Sequence, residues 1–196
     1  MKMGFAKIVG YSFVAITVLM GAGPARALAQ QEFAFQGHDH SGQSNDGGAL
    51  MKAVREATAR FQDVAAAEAA GYALQFGCVT GPDSGAMGMH YINGALVNDG
   101  IIDVTRPEIV IYEPQPDGSL RLIGADFLVI ADTWNASHSG PPQLMGQLFQ
   151  LFESPNRFGL PAFYTLHVWA WKNNPNGAFV NWHPHVSCTS YSGGGQ

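Results

Sequence analysis

Three side chains carry most of the chemical interest of this 196-residue chain. Asp126 falls in the middle of Leu120 to Ala131, a run that is apolar at nearly every position. Burying a carboxylate without a partner is expensive, so Asp126 must be paired, hydrogen-bonded or protonated. Basic partners are few, and alternation along the strand puts Arg121 on the opposite face. His90 lies inside Met87-Gly-Met-His-Tyr91 and His167 inside Thr165-Leu-His-Val-Trp169, both with the look of strand interiors. Two strand histidines and one carboxylate on neighbouring strands are the parts of a facial triad for a divalent transition metal, or of an acid–base pair. Glu113, at the end of its own strand, is a fourth candidate ligand. The same residues would serve equally as satisfied core groups, with Asp126 accepting from backbone amides or a tyrosine.

Other histidines are weaker candidates. Trp182-His183-Pro184-His185 has ligand-like spacing, but Pro184 makes the segment irregular or a sheet edge. His38 and His40 fall in a stretch rich in Gly, Ser, Asn and Gln. Met87 and Met89 flank His90 in a way that would suit copper(I), although core filling is the commoner use of methionine. Trp169, Trp171, Phe149 and Phe163 offer an alternative, an aromatic pocket for a small molecule with no catalysis. A third reading is an interaction protein of the cell envelope. There is no Gly-x-Ser-x-Gly elbow and no phosphate-binding loop.

The elements that must position these groups follow from the pattern. Residues 1–29 read as an export signal: Lys2 and Lys7, an apolar run from Ile8 to Met20, then small residues at the cleavage positions, with cleavage favoured after Ala29. The run is shorter than the roughly 20 residues needed to span a bilayer. Residues 30–48 read as a flexible arm, 49–191 as one globular domain and 192–196 as a disordered tail. Losing the signal removes three of the 10 basic residues and none of the 15 acidic ones, which leaves a formal charge of −8. So acidic a surface argues against nucleic acid and against docking on anionic lipid. In a periplasmic or secreted compartment, two cysteines default to a disulfide, Cys78–Cys188.

Leu50, Val54, Ala57, Phe61 and Val64 form one helical stripe within 49–70, with Asp46 as N-cap and a break near 60–63. Strands are expected at 72–79, 87–93, 109–113, 120–131 and 163–171, with a last one from Ala178 towards Cys188. Pro114-Gln-Pro-Asp-Gly118 marks a hairpin turn, and 143–153 reads as a short amphipathic helix. Strands apolar on both faces are covered on both sides. The fold class is therefore α+β: an N-terminal helix packed on a curved or barrel-like antiparallel sheet.

Several segments together resemble an uncharacterised family of secreted bacterial proteins. They are Met89-His90-Tyr91-Ile92-Asn93-Gly94-Ala95-Leu96, Thr105-Arg106-Pro107-Glu108, Tyr112-Glu113-Pro114, Gly159-Leu160-Pro161, His167-Val168-Trp169-Ala170-Trp171, Asn174-Pro175 and Val186-Ser187-Cys188. The resemblance covers about 100 residues. It implies export and a shared fold, and it carries no activity with it.

Overall fold

The computed structural model describes residues 41–193. The expected signal, residues 30–40 with His38 and His40, and residues 194–196 lie outside them. The chain is α+β, a helical N-terminal segment on a curled, half-barrel sheet.

Helix α1 (Ser41–Thr58) runs into a 3-10 turn (Ala59–Gln62) and then α2 (Val64–Ala69). The break falls where expected. Asp63 is extended, and its side chain accepts from the Ala65 amide at 3.0 Å to start α2. Asp46, however, lies inside α1 rather than capping it, and 41–48 are helical rather than part of an arm. Two successive glycines argue against helix there, but a tertiary contact favours it: the Phe179 ring lies against Gly47. Leu50, Val54 and Phe61 are buried along the predicted stripe.

Six strands follow in one antiparallel sheet: β1 (Ala73–Gly81), β2 (Gly85–Ile92), β3 (Ile109–Pro114), β4 (Leu120–Ile130), β7 (Gln150–Phe152) and β8 (Phe163–Val168), in the order β1-β2-β3-β4-β8-β7. Short helices α3 (Gly94–Asp99) and α4 (Ala131–Asn135) link strands, and β5 (Gln143–Leu144) and β6 (Gln147–Leu148) make a separate hairpin. Three expectations fail here. The helix expected at 143–153 is β5, β6 and β7 instead. Met145 and Gly146 turn with positive φ (46° and 82°), which no helix allows, and β7 adds its backbone to β8, with Phe152 stacked on Phe163 at 5.2 Å. The expected strand after Ala178 reduces to one bridge, Ala86 with His183, because Pro184 has no amide to donate. Strand β8 stops at Val168, where the chain turns so that Trp171 and Lys172 both donate to the Ile123 carbonyl.

The sheet is covered on both faces. One face packs Met89, Tyr91, Val110, Tyr112 and Phe127 against the helical segment, where the Tyr112 hydroxyl donates to the Phe61 carbonyl at 2.6 Å. The other face carries Ile109, Ile111, Leu128, Phe163 and the three polar candidates. Cys78 and Cys188 are bonded, tying β1 to the C-terminal segment across 110 residues. A loop of that size accounts for roughly 4–5 kcal/mol in the chain-entropy picture.

Glycines at irregularities shape the second face. Gly88 has φ of 96°, and a Cβ there would come within 2.7 Å of the Tyr112 carbonyl oxygen. Gly88→Ala is therefore expected to lower stability by about 2 kcal/mol or more, read from the denaturant midpoint. Gly140→Ala, with nothing within 4 Å, should stay within about 0.5 kcal/mol. Equal effects at the two sites would contradict the strain argument.

Candidate metal centre

Strand pairing assembles the site. Asp126 on β4 stands directly opposite His167 on β8, and Thr165 is two residues before His167 on the same face. The Thr165 hydroxyl donates to Asp126 Oδ1 at 2.5 Å. His90 comes from β2, where it is paired with Ile111, which in turn faces Gly124 on β4. One donor atom from each of His90, Asp126 and His167 lies within 4.8 Å of the others. A zinc-like ion with bonds of about 2.0–2.2 Å would hold such atoms about 3.3 Å apart, a closure that side-chain rotation supplies.

All three residues are buried, at 6 %, 3 % and 3 % exposure. His90 Nδ1 is 3.2 Å from the Gly88 carbonyl oxygen. With the proton on Nδ1, that bond leaves the Nε2 lone pair free. His167 Nδ1 is 3.2 Å from Asp126 Oδ2. Apart from that contact, both ring nitrogens of His167 are buried with no hydrogen bond. Burial, with the neighbouring His167, lowers the His90 pKa to about 4, despite the opposing pull of Asp126. Burial alone would raise Asp126, but His167, Thr165 and His90 together outweigh it and hold the carboxyl below its ordinary value. An ionised Asp126 and a neutral His90 are in the protonation states that a metal ion requires of its ligands.

A cavity opens over the triad. Its volume is about 40 Å³. Apart from the triad, Thr165 and Asn181, its walls are apolar, among them Met87, Ile92, Leu128 and four phenylalanines.

Glu113 is not brought to this cluster. Lys172 donates to its two oxygens at 2.7 and 2.9 Å, the Ser187 amide donates at 3.2 Å, and Arg121 completes the cage. His183 is fully buried and uses both nitrogens: Nδ1 accepts from the His185 amide at 3.0 Å, and Nε2 donates to the Asn173 carbonyl at 3.1 Å. The four aromatic residues expected to line one ligand pocket do not converge. Phe163 lines the triad cavity. Trp169 is core, donating to the Val180 carbonyl at 2.6 Å. Phe149 packs with Leu50 on the helix face, and Trp171 donates to the Thr58 hydroxyl at 2.9 Å. Met87 reaches the cavity, whereas Met89 points to the helix face. No family model, curated protein or solved structure matches this chain, so the functional argument rests on the site itself.

Two polar residues escaped the sequence reading. Thr165 was findable, since alternation puts it on the face of His167. Glu108 had no such signal. It is 1 % exposed, and its Oε2 accepts from the Leu128 amide at 3.1 Å. Burial, reinforced by Asp126 and Asp99 against the bond from Leu128, raises its pKa from 4.5 to about 8. The folded state thus holds this proton more tightly than the unfolded state. The stability it contributes is complete below pH 4.5 and is lost as pH rises through about 8. Glu108→Gln keeps the acceptor and removes the titration. Between pH 5 and 8 the wild type should lose stability relative to Glu108→Gln, by up to about 1.4 kcal/mol per pH unit. Parallel denaturation curves across that range would contradict the assignment.

Proposed function

We propose that this is an exported metal-binding protein, holding one divalent transition metal through His90, Asp126 and His167. The observation that carries the reading is His167, buried at 3 % exposure with no hydrogen bond to either nitrogen, its Nδ1 3.2 Å from a carboxylate biased towards its ionised form. In a folded core such an imidazole is costly unless something accepts its lone pair. A bound cation would accept it.

The surroundings support the same reading. Two imidazoles and one carboxylate make a three-ligand set that leaves further coordination positions open. The Gly88 carbonyl and the Thr165 hydroxyl fix the orientation of His90 and Asp126, as outer partners do at metal sites. Both cysteines are in the disulfide, so the donor set is nitrogen and oxygen, suited to zinc, iron, nickel or copper(II). Export is supported by the signal-like residues 1–29 and by the disulfide. Among the described residues, no helix is long and apolar enough to cross a membrane.

Untagged protein, equilibrated with zinc, iron(II), cobalt, nickel or copper and then desalted, should retain about one ion per chain by elemental analysis. His90→Ala and His167→Ala should lose it, while His138→Ala, an exposed residue stacked on Trp134, should not. At 100 times its dissociation constant, the metal should stabilise the wild type by about 2.7 kcal/mol. No stoichiometric metal, or equal retention in His167→Ala, would overturn the reading.

A further inference from the structure

On the reading that a cation sits on the triad, we infer that its open position faces the cavity and takes a compact monoanion. Three features of the cavity select that class.

The first is charge. A divalent cation held by two neutral imidazoles and one carboxylate keeps one net positive charge. Among the described residues, no Lys or Arg lines the cavity, and Asp126 is its only acid. The Thr165 hydroxyl already serves Asp126, and the Asn181 amide donates to Gln150 at 2.8 Å. One positive charge among apolar walls is offset by one negative charge. A dianion would leave an uncompensated charge buried, which costs several kcal/mol.

The second is size. The space over the triad is about 40 Å³, open on one side and walled by aromatic rings, which favours a compact anion over one that carries a ring.

The third is the wall that sets the size. Between the pairs Gln75–His90 and Cys78–Met89, β1 carries two extra residues, Phe76 and Gly77. Phe76 has φ of 64°, a left-handed conformation that is strained for a bulky residue. This bulge puts the Phe76 ring on the cavity, 5.3 Å from Phe158, whose ring is 6.4 Å from Phe163. Phe76 is only half-buried. Ile92, Phe152, Phe158 and Leu160 are half-buried too, but of the described walls Phe76 alone stands on a bulge with positive φ, which makes it the wall set apart to shape the entrance. Arg157 stacks on Phe158 and Trp182 and donates to the Thr80 carbonyl, but does not line the cavity.

The test uses the full chain loaded with cobalt(II), whose visible spectrum reports its ligands. Azide should change the spectrum with one saturable site, whereas sulfate (a dianion) and benzoate (a monoanion carrying a ring) should not at equal concentration. Phe76→Ala should admit benzoate at least tenfold more tightly while azide binding changes little. Phe76→Leu, which keeps more of the core contact, should shift the same way by a smaller factor. A cobalt-loaded protein indifferent to azide would overturn the inference alone, and so would sulfate binding as tightly as azide, or unchanged exclusion of benzoate in both variants. Failure to take up cobalt at all would overturn the metal reading and this inference with it.

Discussion

A carboxylate in the middle of an apolar sheet face sets the terms for everything around it. Asp126 is 3 % exposed, with Ile109, Leu128 and Phe163 on its face. Left alone, it would take up a proton or unfold its surroundings, since desolvation penalises the ionised form. Instead the Thr165 hydroxyl donates to one oxygen, and His167 stands across the ladder from it. Those two contacts satisfy part of its capacity and leave His167 short of a partner. The site is thus a polar network closed at one end and open at the other. The open end faces the cavity.

The scaffold serves this arrangement through its irregularities. His90 reaches the cluster from two strands away because the sheet curls. Gly124 is constrained, since a Cβ would come within 2.6 Å of the Val168 carbonyl oxygen. The register shift near Gly88 brings Met87 onto the cavity face, and the Gly88 carbonyl orients His90. The disulfide closes the outer strand β1 onto the chain terminus. The helical segment covers only the opposite face, which leaves the face with the triad to be walled by loops and by β7.

Much of this was legible in the residue pattern. Alternation along β4 and β8 singled out Asp126 and His167, and a run of turn residues at 114–118 gave the β3–β4 hairpin. The compartment implied the disulfide pair. What failed did so for local reasons. Strict alternation would put Leu122 on the face of Asp126, but the shift between the Ile111–Gly124 and Tyr112–Leu122 pairs moves Leu122 to the helix face. A bulge leaves no periodic trace. Leu144, Leu148 and Leu151 fit a helical spacing, and only the free edge of β8 decides for strands. Glu113 looked like a ligand because it is acidic and at a strand end; its lysine and arginine partners are distant or unremarkable in sequence. Phe76 escaped notice because nothing in its neighbours announces a positive φ, although Gly77 follows it.

X-ray absorption spectroscopy on the zinc-loaded protein tests the central claim most directly. The account predicts a nitrogen and oxygen first shell at about 2.0–2.1 Å, multiple-scattering features of two imidazoles, and no sulfur at about 2.3 Å. A sulfur contribution, or an imidazole count of none, one, or three and more, would contradict a site built from His90, Asp126 and His167.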